Sequence, residues 1–369
     1  MKCDHCGRQV PEGAFCTVCG AHQGIGVVNA LDRPHHYAAH PGEHVAQPSV
    51  FTTLLPHVTH GKVHEFRYAF LVGVAIIVLL VATGLVVAAL IAAIFLMPVL
   101  YLVYLYEAQV YRDEPALVVG VTFAGGLILG VVTTIVAGQI IGLKTGNNAG
   151  ALIGYTVVLP IVQLILIPIP ALLLRGRAGF PETIDGLVFG VTAGLGFSVA
   201  ESIVRFSSVF GSLGIHASSS SWIYPLVSLA ALVPLLHGST GGAIAAALWR
   251  PHRDARAGAL AVLGIPVALL ACLAFYLVAQ VLANAGLAPL IVLIYQALPV
   301  ALLLVYIRFL VHHALLDEAR DMGFTPVVCP SCHRHVMAAG FCPACGVAVR
   351  AAPRRAAAAA TSGATGEAV

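Results

Sequence analysis

The sequence predicts an all-α polytopic membrane protein of about eight transmembrane helices, flanked by two small four-cysteine zinc ribbons. Three observations carry that expectation. Only 9% of the 369 residues are charged and 59% are hydrophobic, whereas soluble globular chains carry about 25% charged residues. Apolar runs of span length, about 20 residues, recur through the middle of the chain. Cys3, Cys6, Cys16 and Cys19 read C-x2-C-x9-C-x2-C, and Cys329, Cys332, Cys342 and Cys345 repeat that spacing.

The two cysteine sets form an internal repeat, since the copies also share Arg8/Arg334, Val10/Val336, Phe15/Phe341 and Gly20/Gly346. Paired CxxC knuckles set four thiolates tetrahedrally around one zinc, in a hairpin too small to fold without it. Disulfide pairing is the weaker alternative. Zinc thiolates belong to a reducing compartment, which predicts a multi-pass protein of the cell membrane with both termini in the cytoplasm. The ninth cysteine, Cys272, lies in an apolar helix and reads as a packing residue.

These features divide the chain into a zinc ribbon over residues 1–22, a His/Pro-rich linker over 23–66, and a transmembrane core over 67–310. A second ribbon over 326–347 and an Ala-rich disordered tail over 348–369 complete it. The opening residues lack the apolar core of a secretory signal. The linker histidines are irregularly spaced, as suits a solvated segment better than a metal site. Its end, residues 50–66, reads as a short helix on the membrane surface.

Residues 67–107 are too long for one span, and Gly84 marks the tip of a helical hairpin. Six further spans are expected over residues 115–143, 149–174, 182–206, 222–249, 257–283 and 287–310. Arg112, Arg175, Arg177, Arg250, Arg253 and Arg256 fall in the loops that this topology puts on the cytosolic side. The opposite loops carry only Lys144, with Arg205 at a helix end, in accord with the positive-inside rule. With a net charge of +3 and no dense basic patch, nucleic acid is not an expected partner. Membrane lipid is.

Ionisable side chains inside hydrocarbon cost about 2.5–3.5 kcal/mol on insertion scales, so those in the spans draw attention. Residues 180–205 carry Asp185, Glu201 and Arg205, and Gly186, Gly190, Gly194, Ser198 and Ser202 recur every fourth residue. That stripe predicts one smooth face for close helix approach, with Glu201 about 60° beside it. Asp185 sits where a carboxylate would complement a helix N-terminus, so capping competes with catalysis. Phe197, Glu201 and Arg205 share a face, and a Glu201–Arg205 ion pair alone would account for both charges. His237 lies in a span loosened by Pro234, Gly241 and Gly242. At 1.5 Å per residue, Glu201 is about 27 Å and His237 about 18 Å from the cytosolic ends of their spans. Straight helices would therefore keep the two apart.

Taken in order, these pieces resemble the PrsW family of glutamic-type intramembrane proteases, related more distantly to the CAAX-processing membrane proteases. The likeness runs from about Tyr101 to Trp249. It comprises YEAQVYRDEP ending in Glu114-Pro115, then Phe123-Ala-Gly-Gly, then Phe180-x-x-x-x-Asp185-Gly186-Leu-Val-Phe-Gly190. Gly194-Leu-Gly196-Phe197-x-x-x-Glu201 and His237-x-x-Thr240-Gly241 follow. The resemblance implies peptide-bond hydrolysis in or beside the membrane, with Glu201, His237 and Asp185 as catalytic candidates and a membrane protein as substrate. Buried carboxylates would activate water, and the histidine would stabilise the oxyanion or help hold a catalytic metal, a choice left open.

One element departs from the family pattern. Where a Glu-Glu-x-x-Lys motif belongs, this chain has Val162, Gln163 and Leu166, and its whole helix lacks a carboxylate. A glutamine can bind water but cannot take its proton. The alternative to a peptidase is therefore a non-catalytic membrane scaffold or substrate-binding protein whose cytosolic ribbons recruit a protein partner. A transporter is a third reading, and no inverted repeat supports it.

Overall fold

In hydrocarbon every backbone N–H and C=O must find its partner within the segment, so the apolar runs of this chain can only form helices. The computed structural model describes residues 2–3, 9–10, 16–18, 65–107, 116–142, 150, 153–175, 180, 183–210, 224, 226–249, 255–319, 325–329, 332, 334–338 and 341–348. The linker, the Ala-rich tail, Cys6, Cys19, Glu114, most of the loop arginines and the loop on either side of Lys144 lie outside the described residues.

The helices follow the expected order. They are α1 (Glu65–Ala82), α2 (Val86–Glu107), α3 (Ala116–Gly142), α4 (Leu159–Leu166), α5 (Ile169–Leu172), α6 (Thr183–Phe210), α7 (Val233–Leu248), α8 (Ala255–Val262), α9 (Gly264–Leu273), α10 (Ala279–Asn284) and α11 (Pro289–Ala319). Among the described residues three π-helical turns interrupt them: Gly154–Val158 runs into α4, Ser228–Leu232 into α7, and Ala274–Val278 joins α9 to α10. Among the described residues seven segments are long and apolar enough to cross a membrane, and the shorter apolar stretch Tyr68–Ala82 precedes them. The chain is a multi-pass membrane protein, with one short and seven full-length arms where eight spans are expected.

The hairpin tip falls at Gly84, where φ is 78°. Leu85 N–H bonds Leu80 C=O at 2.9 Å and Gly84 N–H bonds Val81 C=O at 3.0 Å, so α1 ends in a Schellman cap that only glycine forms without strain. Gly286, at the same φ, ends α10 in the same manner before α11 begins.

Helix α6 is the central post, packed most extensively between α7 and α3 with α2 across it. Small residues explain how close the neighbours come. On the α7 side, a Cβ on Gly186 would lie 2.7 Å from the Trp249 indole, and one on Gly190 would lie 2.6 Å from Ala245 Cβ. A Cβ on Gly194 would overlap the His237 carbonyl. Ser202 continues the stripe by donating to Leu229 C=O at 2.9 Å. The expected four-residue seam is thus the α6–α7 contact. A second seam faces α3, where Gly126 abuts the Ala193 carbonyl and Gly196 abuts that of Phe123.

The first turn of α6 and the last turn of α7 gather around Trp249, which donates its indole N–H to Phe180 C=O at 3.2 Å and stacks at a tilt on Phe189, 6.1 Å between centroids. This explains Phe180 and Gly186 in the sequence pattern as packing residues. Cys272 is buried among Val233, Ala268 and Phe275, as a packing role requires. After α11, β1 (Thr325–Val328) pairs antiparallel with β2 (His335–Ala338) in the register Thr325↔Ala338.

If the seam sets helix separation, Gly194→Val should lower stability by about 1–3 kcal/mol or more through overpacking. Gly120→Ala, where nothing lies within 4 Å of the added methyl, should be neutral or mildly stabilising. Thermal unfolding midpoints of both variants in the same detergent check the contrast.

Candidate active site and metal centre

Glu201 and His237 meet inside the bundle. Glu201 Oε2 lies 3.5 Å from His237 Nδ1, and the two residues are 1% and 0% exposed. The depth arithmetic predicted otherwise. The correction lies in side-chain direction: Cα–Cβ bonds tilt toward the N-terminus of their own helix. Because α6 and α7 run antiparallel, the two side chains lean toward each other along the bundle axis. They close an axial offset of about 10 Å, counted from Gly194, which faces His237.

The carboxylate is surrounded asymmetrically. Its Oε1 accepts a charge-assisted bond from Arg205 Nη2 at 2.6 Å, one helical turn along α6, so the ion pair read from the i, i+4 spacing is present. Its Oε2 accepts the side-chain amide of Gln163 at 3.3 Å. Val162 faces outward and Gln163 is 2% exposed, so the position that departs from the family pattern lies in the site itself. The Phe197 ring meets the His237 ring edge-on at 5.5 Å. On the far side, His237 Nε2 lies 3.2 Å from the Tyr276 hydroxyl. The polar chain therefore runs Gln163, Glu201, His237, Tyr276, with Arg205 at its flank.

Sequence reasoning singled out Gln163, Phe197, Glu201, Arg205 and His237, set Glu201 and His237 at different depths, and missed Tyr276. A tyrosine inside an apolar span carries no signal of its own. Tyr276 is in a π-helical turn, and the helices bearing Gln163 and His237 each carry one as well. Such turns recur at functional sites because they shift side chains off the regular register.

Asp185 does not join this cluster. It is buried in the first turn of α6, 16 residues before Glu201, or about 24 Å along the axis. There a carboxylate complements the positive end of the helix dipole.

Outside the bundle, Cys329, Cys332, Cys342 and Cys345 place all four sulfurs within 4.8 Å of one another. Sγ atoms of Cys329 and Cys345 are 3.7 Å apart and those of Cys332 and Cys342 are 3.8 Å apart. Four thiolates at about 2.3 Å from one tetrahedral zinc lie about 3.8 Å from each other, so this set fits zinc. Two of the thiols resist ionisation: the hydrogen bond with Cys329 pushes Cys342 up to about 12, and Cys345 rises for the same reason. A bound dication reverses that preference by stabilising thiolates. Of the first cysteine set, Cys3 and Cys16 are buried and packed with Val10. Phe341 N–H bonds Thr17 C=O at 3.2 Å, so the two knuckles touch.

Comparison with known proteins gives a family match. The family model described as PrsW family intramembrane metalloprotease matches residues 114–307, more than half of the chain. No curated protein and no solved structure matches.

That description implies a catalytic metal, and the donor set inside the bundle does not fit one. A catalytic zinc takes three protein ligands and keeps a fourth position open. Among the described residues Glu201 and His237 are the conventional ligands here, Glu201 Oε1 is bound to Arg205, and His237 Nε2 faces Tyr276. Among the described residues, only the knuckle cysteines group closely enough to hold an ion. The guanidinium supplies beside Glu201 the positive charge that a dication would otherwise bring.

Removing that charge should be costly. Arg205→Met should destabilise the protein by up to about 3 kcal/mol, because it leaves a carboxylate unpaired in hydrocarbon. The double variant Arg205→Met, Glu201→Gln should recover most of the loss. Unfolding midpoints of the two variants in lipid nanodiscs measure the difference.

Proposed function

Since the chain belongs to the PrsW family of intramembrane metalloproteases, we propose that it hydrolyses peptide bonds of a membrane-protein substrate in or beside the bilayer, with Glu201 and His237 as the catalytic pair. The observation that supports this reading best is their meeting, fully buried, from two different helices. The reaction would use Glu201 Oε2, since Arg205 occupies Oε1. Oε2 takes a proton from water, and the resulting hydroxide adds to the scissile carbonyl carbon. His237 faces the developing oxyanion. As the C–N bond breaks, the Glu201 proton passes to the leaving amine. Asp185, in the first turn of α6, is proposed to hold that helix rather than to take part in the transfer.

One observation favours the alternative of a binding protein without turnover. Gln163 donates its amide to Glu201 Oε2, the atom that must accept the proton, where the family pattern has a carboxylate. A reconstituted cleavage assay separates the two. Glu201→Gln and His237→Ala should each lower the rate by about 10²–10⁴-fold. Gln163→Glu should raise it if the missing carboxylate limits turnover. Cleavage unchanged in both of the first two variants would sink the mechanism, and no cleavage by the native chain or by Gln163→Glu would favour the binding protein.

We also propose that each terminal cysteine set holds one structural zinc and that both termini lie in the cytosol, where the ribbons are available to a protein partner. The matched spacing, the sulfur separations and the arginine-bearing loops support this. Metal analysis of the purified chain should find two zinc ions. Cys342→Ser should leave one, and His237→Ala should leave two.

A further inference from the structure

His237 offers two ring nitrogens to its surroundings, and its neutral form carries one proton and one lone pair. Which nitrogen holds the proton decides what the ring can do toward Glu201. Nε2 is 3.2 Å from the Tyr276 hydroxyl, within hydrogen-bond reach. Nδ1 is 3.5 Å from Glu201 Oε2 and makes no hydrogen bond in the described structure, although it is buried.

Two arrangements satisfy the Tyr276 contact. In one, Nε2–H donates to the hydroxyl oxygen, and the Nδ1 lone pair points at a carboxylate oxygen. Like partial charges then face each other at 3.5 Å where little water screens them, and Nδ1 is left without a donor. In the other, Tyr276 donates its O–H to Nε2, and Nδ1–H points toward the carboxylate. Attraction replaces repulsion, and the buried Nδ1 becomes a donor facing an acceptor.

We infer that the Glu201 carboxylate fixes His237 in the Nδ1–H tautomer and that Tyr276 is a positioning residue, its hydroxyl donating to Nε2 and holding the ring in place. The backbone supports this placement. Tyr276 lies within the π-turn Ala274–Val278, against the fully buried Phe275, whose ring it meets edge-on at 4.9 Å. The ring of His237 is also held on its other side by Phe197. The tautomer follows from these distances and the charge of the Glu201 carboxylate. Its catalytic meaning rests on the reading proposed above: a proton already on Nδ1 lets His237 donate to an oxyanion beside Glu201 without first gaining one.

The test is ¹⁵N NMR of the full-length, ¹⁵N-histidine-labelled protein in lipid nanodiscs, with the His237 signals assigned by their loss in His237→Gln. Native protein should show Nδ1 protonated and Nε2 unprotonated. Glu201→Gln should move His237 to a mixture of tautomers or to Nε2–H, and Tyr276→Phe should leave it as Nδ1–H while its Nε2 signal shifts toward that of a ring nitrogen without a hydrogen bond. A native ring protonated on Nε2, or on both nitrogens, overturns the proposal without any variant having to fold. An unchanged tautomer in folded Glu201→Gln, or an unshifted Nε2 signal in folded Tyr276→Phe, also overturns it. These signals do not depend on turnover, so an inactive protein with the expected tautomer would sink the peptidase reading and leave the role of Tyr276 standing.

Discussion

The ion pair between Glu201 and Arg205 is the interaction on which the interior of this protein depends. A carboxylate in hydrocarbon without compensation costs several kcal/mol, more than most single contacts return. Here both partners stand on α6, one turn apart, with Arg205 Nη2 at 2.6 Å from Oε1. The compensation thus exists before any other helix docks. What the other helices add is chemistry at Oε2: the Gln163 amide from α4 and the His237 ring from α7. A site whose charge balance depended on three helices would be lost with any one of them. This one requires the others only for position.

Position in turn comes from small residues. Gly186, Gly190 and Gly194 let α7 approach until its backbone touches α6, and Gly126 and Gly196 do the same with α3. Helices held backbone to backbone have little freedom to slide, so side chains that extend from them meet reproducibly. The stripe also sets the vertical register. Gly194 lies against His237, and Glu201 stands about 10 Å further along, within the combined reach of two side chains that lean toward each other. The glycines do not form the site, but a different stripe spacing would leave its two halves at different depths.

Much of this was legible in the chain because hydrocarbon leaves few options. Charge scarcity and run length gave the spans to within a few residues, and Gly84 gave the hairpin, since only glycine closes that cap without strain. The four-residue stripe gave the α6–α7 seam, the i, i+4 spacing gave the ion pair, and the family register put Gln163 at the correct level. What the sequence withheld was geometry with no compositional trace. The π-turns at Gly154–Val158, Ser228–Leu232 and Ala274–Val278 are backbone events in ordinary apolar sequence. Tyr276, which depends on one of them, reads from sequence as one more aromatic in a span. The depth estimate for Glu201 and His237 failed for a related reason. It counted backbone rise and left out the direction of the side chains, which in an antiparallel pair adds the reach of one to that of the other.

The charges in this molecule are neutralised in two different ways at two different levels. Beside the end of the bundle that holds Trp249, four sulfurs spaced for a tetrahedral ion form a centre that a dication would hold together. Phe341 and Ala348, from the same knuckle, are fully buried in the cluster that contains Leu187, Trp249 and Val311. An ion that orders the knuckle therefore also acts on the packing at the base of α6 and α7, because metal binding and folding share one free energy. Inside the bundle the carboxylate is neutralised by an arginine of its own helix, and the histidine beside it faces a tyrosine. A chelator could thus disturb this protein through its base while the intramembrane pair held no metal. Loss of activity on chelation would then not identify the catalytic mechanism. The metal count in the His237 variant, taken beside that of the Cys342 variant, separates the two centres because their donors share no residue.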